Sequence, residues 1–176
     1  MKLYLIRHTS VAVAKGICYG QTDVPLSESF EEEAQVVKKN LEGIKLSASY
    51  ASPLTRCKRL AQFCVGNQGI QLDDRLKEMD YGAWEMKDWN TLDFSAWEKD
   101  WVHQAVPQGE SFYELFLRVS SFLNELAQKH LPTEQLAIFT HGGVLACALA
   151  YFEGIPLEES FARKAKYGDI FTFHLL

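Results

Sequence analysis

Lys2-Leu3-Tyr4-Leu5-Ile6 followed by Arg7-His8 is the stretch on which the reading of this chain turns. Five mostly apolar residues read as a short buried strand, and it ends in two groups that hold or attack anions. A counterpart lies far along the chain, where Leu136-Ala137-Ile138-Phe139-Thr140 runs into His141-Gly142-Gly143. Two buried strands then each carry a histidine at the carboxyl end. In open α/β sheets that edge is where ligands bind, so one site assembled from both ends of the chain is expected.

Working outward, a loop marked by Gly16, Gly20 and Pro25 follows the first strand. Ser27 is expected to cap a helix with an acidic first turn (Glu28, Glu31, Glu32), and Phe30, Ala34, Val37 and Leu41 give it a buried face. Gly43 ends it. Residues 47–51 read as a second strand, and Ser52-Pro53 as the cap and first position of a second helix. Strand, helix, strand, helix in this order implies parallel pairing. Residues 70–107 are less regular and contain all four tryptophans (Trp84, Trp89, Trp97, Trp101). A long helix spans Ser111 to His130, another Val144 to Phe152, and Ile170–His174 reads as a final edge strand. The expected architecture is a single α/β domain over residues 1–176: a three-layer sandwich with a mostly parallel central sheet and helices on both faces. Residues 79–107 form an aromatic-rich segment near the site.

At 176 residues, with 47% hydrophobic and 23% charged residues, the chain can bury one good core. A net charge of −5 disfavours nucleic acid or anionic lipid as partners. No signal peptide and no membrane span are read. Cys18, Cys57, Cys64 and Cys147 show neither metal-ligand nor disulfide spacing, which points to a cytoplasmic protein without a metal or other cofactor. Oligomeric state is not legible.

Arg56 falls in the first turn of the second helix, with Lys58 and Arg59 close behind. Cations there oppose the helix dipole, and a bound anion would relieve the conflict. Solvated surface cations are the plainer alternative, but Arg7 at another strand end makes Arg56 the second jaw of an anion clamp. A neutral histidine could attack phosphorus, with arginines neutralising the phosphoryl oxygens and a carboxylic acid protonating the leaving oxygen. His103, His130 and His174 are assigned ordinary packing or surface roles. The residues alone leave the acid open among Asp73, Asp74, Glu78 and Asp80.

Leu5-Ile6-Arg7-His8-Thr9 resembles the Arg-His-Gly signature of the histidine phosphatase superfamily, the phosphoglycerate mutase-like proteins. The resemblance continues at residues 20–27 (Gly20 to Ser27), 52–56, 76–85 and 107–111, and ends at Thr140-His141-Gly142-Gly143. It implies a phosphomonoester hydrolase working through a phosphohistidine on His8. Arg7, Arg56 and His141 would bind the phosphoryl group, with Thr9, Gln21, Thr22 and Gly142 also lining the substrate site. It selects Glu78 as the acid and later base, and requires no metal. Thr9 stands where glycine is usual, and Phe30 where glycine is common; the latter is expected to affect packing only.

The compact length and the Arg-His-Thr variant resemble the α-ribazole phosphatases, so a small phosphorylated metabolite is the expected partner and α-ribazole 5′-phosphate the leading substrate. A broad-specificity sugar or metabolite phosphatase, a mutase-like enzyme, a protein phosphatase and a non-catalytic phospholigand-binding protein are the alternatives. The tryptophans read as a satellite core in preference to a lid that stacks on a flat base. Gly16-Ile17-Cys18-Tyr19-Gly20 has the outline of a nucleophile elbow, but it lies past the strand and leads into no helix, so Cys18 is taken as a loop cysteine.

Overall fold

The computed structural model describes residues 1–175. Five strands form one sheet: β1 (Lys2–Arg7), β2 (Ala48–Ala51), β3 (Ile70–Leu72), β4 (Gln135–Thr140) and β5 (Ile170–His174), in the order β3-β2-β4-β1-β5. All neighbours are parallel except β5, which runs antiparallel to β1 at one edge. β1 and β2, consecutive in the chain, are separated by β4.

The apolar runs of β1 and β4 are continuous because both sheet faces are covered. On one face Tyr4, Ile6, Ala137 and Phe139 pack under α1 (Phe30–Asn40) and α2 (Thr55–Val65). On the other, Leu3, Leu5, Leu136 and Ile138 pack under α3 (Phe112–Lys129) and α4 (Gly142–Glu153). Alternate residues of one strand thus serve opposite layers, and the three-layer sandwich is present. A short α5 (Leu157–Ala162) follows, which the sequence did not announce. Among the described residues no helix is long and apolar enough to cross a membrane.

Three helix starts differ from expectation: α4 opens at Gly142, two residues before Val144, and α1 and α2 both begin late. α1 begins at Phe30, and Ser29, not Ser27, holds the cap position; Ser27 instead accepts the Phe30 N–H at its carbonyl. α2 begins at Thr55, so Pro53 lies before the helix and Ser52 does not cap it. The carboxylate of Asp23 does so from 32 positions away, accepting from Thr55 N at 2.8 Å and Thr55 Oγ1 at 2.6 Å. A carboxylate there suits the helix dipole and offsets the nearby cations. Phe30 meets Phe63 edge to face at 6.0 Å, a packing role, as expected. The start of α3 is as read: Ser111 and Glu114 form a reciprocal capping box.

Candidate active site

Parallel register brings the ends of three strands together. Arg7 is level with Thr140, and His8 N donates to the Thr140 carbonyl at 2.9 Å, so His8 and His141 leave the sheet side by side. Their rings lie 5.1 Å apart, edge to face. On the other flank of β4, Ser52 N donates to the Phe139 carbonyl at 3.0 Å, which places Ser52 beside His141.

The protonation of His8 follows from its neighbours. Nδ1 is 2.7 Å from the Thr9 carbonyl. A carbonyl can only accept, so Nδ1 carries the proton and Nε2 holds the free lone pair. Burial, then the charge of Arg56, push the pKa down from 6.5 to about 3; the Thr9 hydrogen bond opposes this and Arg7 adds to it. His8 is therefore neutral at physiological pH. His141 is held well below 6.5 by burial and by the same arginines. Its Nδ1 accepts from Arg56 Nε at 3.2 Å, which leaves the proton on Nε2, 2.8 Å from Ser52 Oγ. Cys57 Sγ lies 3.3 Å from the same nitrogen. Both ring nitrogens of His141 are thus engaged within the protein.

Arg56 is fully buried and donates to the carbonyls of Gly20 and Thr22 besides His141. Arg7 donates to the Ala165 carbonyl, and its Nε is buried without an acceptor among the described residues. Thr9 Oγ1 is likewise buried without a partner among them. Neither arginine meets a carboxylate among the described residues. A fully buried guanidinium at Arg56 and a half-buried one at Arg7, with no counter-ion among the described residues, are costly, and an anion seated between them would reduce that cost.

Glu78 faces this group from the amino end of α4. Its carboxylate accepts from Gly143 N at 3.1 and 3.2 Å and from Met79 N at 2.9 Å. A Cβ on Gly143 would collide with Glu78 Oε1, so glycine is needed for this approach. Gly142 lies beside the Arg7 guanidinium, where an added Cβ would make only ordinary contact at 3.5 Å. Gln21 and Thr22 reach the site mainly through the backbone and through the Gln21 amide, which donates to the Glu78 carbonyl at 3.2 Å. The other acidic candidates are engaged elsewhere: Asp73 pairs with Arg75, Asp74 with Lys77, and Asp80 accepts from Gly82 N. A cavity of about 260 Å³ opens beside Arg7, Glu78, Gly142 and Gly143, with Arg163 and Lys164 at its rim.

Several residues here escaped the sequence reading. Glu85 accepts from Gly20 N, Gln21 N, Thr22 N and Tyr81 N, and so braces the loop whose carbonyls hold Arg56. Arg118 of α3 donates to the carbonyls of Arg75, Lys77 and Glu78 and pairs with Glu110, which fixes the backbone under Glu78. Tyr19 and Tyr167 join hydroxyls at 2.8 Å. Their rings lie against Arg56 and Arg7 at 5.4 and 4.3 Å, and Tyr167 covers His8 at 5.5 Å. Glu85 and Glu110 sit inside the motif blocks and could have been suspected; nothing in sequence pointed to Tyr167 or Arg118. Cys18 is fully buried in a loop with its thiol raised to about 12, chiefly by burial, which fits a loop cysteine and no nucleophile. His103 pairs with Asp100 at the surface, His130 contacts Tyr50, and His174 lies exposed on β5, all away from the site.

Of the four tryptophans only Trp84 is buried; Trp89, Trp97 and Trp101 are half-buried and line a second cavity. All four pack with the core, Trp84 as a buried member and the other three partly buried against it, so the rings pack as expected and also border a space.

Known proteins share the fold and the sequence of this chain over nearly its whole length. The model of the histidine phosphatase superfamily (branch 1) matches residues 3–174. An adenosylcobalamin/alpha-ribazole phosphatase of Escherichia coli is 30% identical over 90% of this chain and 82% of its own length. A putative phosphoserine phosphatase 2 of Hydrogenobacter thermophilus is 32% identical over 89% of this chain and 81% of its own. The crystal structure of a putative alpha-ribazole-5′-P phosphatase from Escherichia coli superposes with a TM-score of 0.87 at 29% identity, covering 98% of this chain and 89% of that one. With the family model covering nearly the whole chain, the chain belongs to the histidine phosphatase superfamily.

Proposed function

We propose that this phosphatase hydrolyses a small phosphomonoester through a phosphohistidine on His8, and that its substrate is α-ribazole 5′-phosphate. The observation that carries the chemistry is a neutral, buried His8 with a free Nε2 between two arginines that lack carboxylate partners. In this mechanism the Nε2 lone pair attacks phosphorus while the bond to the ester oxygen breaks. Arg7 and Arg56 neutralise the phosphoryl oxygens, with Thr9 Oγ1 as a further donor. Glu78 passes its proton to the departing alcohol. Water then attacks the phosphohistidine, Glu78 takes up the proton, and phosphate leaves with His8 restored. His141 donates to a phosphoryl oxygen once its Nε2–H exchanges Ser52 for the substrate.

The substrate assignment is supported by the Arg7-His8-Thr9 block together with the names of the two similar proteins from Escherichia coli. A phosphoester bearing a carboxylate is the second reading. It is favoured by the phosphoserine phosphatase relative and by Lys164 at the cavity rim. Comparing kcat/KM on α-ribazole 5′-phosphate, phosphoserine, phosphoglycerates and sugar phosphates, with chelator present, separates these. The mechanism is tested by trapping the acid-labile phosphoenzyme: His8→Ala should abolish it, and Glu78→Gln should still form it from esters with good leaving groups. A normal phosphoenzyme in His8→Ala would overturn the assignment.

A further inference from the structure

The cavity beside Arg7 and Glu78 does not end at Glu78. Its wall continues through Met79, Tyr81, Phe112 and Phe161, and these four residues also line the second cavity, of about 290 Å³. The rest of that cavity is Trp89, Phe94, Trp97 and Trp101. None of these side chains carries a charge at neutral pH. The rings brace one another: Trp89 and Phe94 stack with an 18° tilt, while Trp84, from the core beneath, meets both Phe94 and Trp97 edge to face. A satellite core would close on itself, and this one leaves a space roughly twice the ~150 Å³ that accommodates benzene in an apolar protein cavity.

Two features say what belongs there. In an in-line displacement the leaving oxygen departs on the side opposite the attacking nitrogen. If Glu78 protonates that oxygen, the body of the leaving group continues past Glu78 along the shared wall of Met79 and Tyr81. Secondly, every wall of the second cavity is uncharged and most of it is aromatic ring, which suits a flat apolar occupant and excludes a charged one.

We propose that the tryptophan cavity is the subsite for the far end of the leaving group, and that it takes a flat, uncharged aromatic ring. This rests on the phosphatase reading of the adjoining site. The cavity would then select against phosphoesters that end in a carboxylate, which none of its walls can pair.

The test pairs α-ribazole 5′-phosphate with ribose 5-phosphate, which share the 5′ ester and differ in the base. In the wild type, kcat/KM should favour the base-bearing ester by about 100-fold, the scale of burying one aromatic system. Phe94→Ala and Trp97→Ala should each lower this ratio about tenfold. The ratio is insensitive to partial unfolding, which lowers both rates equally. A wild-type ratio near one, or an unaltered ratio in both variants, overturns the subsite. An independent readout is quenching of tryptophan fluorescence by 5,6-dimethylbenzimidazole, which inorganic phosphate should not reproduce. Quenching that Phe94→Ala weakens, without turnover of either ester, would keep the subsite and sink the phosphatase reading. Turnover of both esters without quenching would do the reverse.

Discussion

Replacing Glu85 by glutamine tests whether the proposed phosphate-binding geometry is held from outside the site. Glu85 Oε2 accepts from Gly20 N at 3.0 Å and Thr22 N at 3.2 Å, while Oε1 accepts from Gln21 N at 2.8 Å and Tyr81 N at 3.3 Å. A glutamine has one carbonyl oxygen and one NH2, so in either orientation two backbone donors face another donor. Each lost bond to a charged acceptor is worth about 1.5–3 kcal/mol when well buried; Glu85 is only half-buried, and roughly 2–3 kcal/mol in total is expected. The same loop supplies the Gly20 and Thr22 carbonyls that anchor Arg56. If it shifts, Arg56 keeps His141 and loses its other two contacts, and kcat/KM should fall on the order of 100-fold, as for loss of one transition-state donor. Urea unfolding measures the first effect. Turnover of p-nitrophenyl phosphate, at a temperature where the variant is folded, measures the second. Burial raises the Glu85 pKa, but hydrogen bonds from the Thr22 side chain and the three loop N–H groups outweigh it and hold the carboxyl below its ordinary 4.5. Its stabilisation is therefore present above that ordinary value and is lost as pH falls through the depressed one. The stability gap between wild type and Glu85→Gln should close on acidification through that range. Wild-type kcat/KM in a variant destabilised as expected would refute the link from Glu85 to Arg56.

Three other perturbations address the remaining parts of the site. Arg118→Met leaves three carbonyls and the mostly buried Glu110 carboxylate without their donor, so a loss of about 3–5 kcal/mol is expected in urea unfolding; an effect below 1 kcal/mol would show the pair to be merely superficial. Gly143→Ala drives a methyl group into Glu78 Oε1 and against Leu115, and should lower kcat about 10- to 100-fold on alkyl phosphates while largely sparing p-nitrophenyl phosphate, whose leaving group needs little protonation. Equal losses on both esters would place the damage elsewhere. His8 is kept neutral in the fold down to about pH 3, whereas an unfolded imidazole titrates near 6.5, so the unfolded chain binds more protons between these values and stability falls as pH is lowered through them. His8→Asn should flatten this dependence by about 1.4 kcal/mol per pH unit, read from urea midpoints across the window; an unchanged slope would mean that His8 is charged or exposed in the fold.

Whether a feature was legible in the sequence depended on whether its cause was local. β1 and β4 could be read because an unbroken apolar run is itself the mark of a strand buried on both faces, and the residues that follow it necessarily emerge at the sheet's carboxyl edge. Their adjacency, with His8 beside His141, came from the α/β rule and the family resemblance. The bracing residues were hidden for the opposite reason. Glu85 acts through backbone donors about 65 positions away, and Tyr167 meets Tyr19 across 148, so no spacing pattern encodes either contact. The second cavity was concealed in a further way: tryptophans that fill a core and tryptophans that line a space have the same composition, and only the packing distinguishes them.

Ser52 shows how a correct local rule can lose to tertiary competition. Serine followed by proline is a sound helix-start signal, yet α2 begins three residues later. Two partners compete for the two roles that Ser52 could fill. The helix end can be satisfied by Asp23, whose full negative charge interacts with the dipole more strongly than a hydroxyl can. The Nε2–H of His141, fully buried, would be left without an acceptor if Ser52 turned to the helix. An unpaired buried donor costs about 1–3 kcal/mol, while exchanging one good cap for another changes little. The arrangement with Asp23 on the helix and Ser52 on His141 satisfies both donors, and the alternative satisfies one. Ser52→Ala should accordingly leave α2 intact and act through the His141 imidazole, lowering phosphatase activity with little loss of helix content by circular dichroism. A variant that melts α2 and keeps normal turnover per folded molecule would restore the local reading.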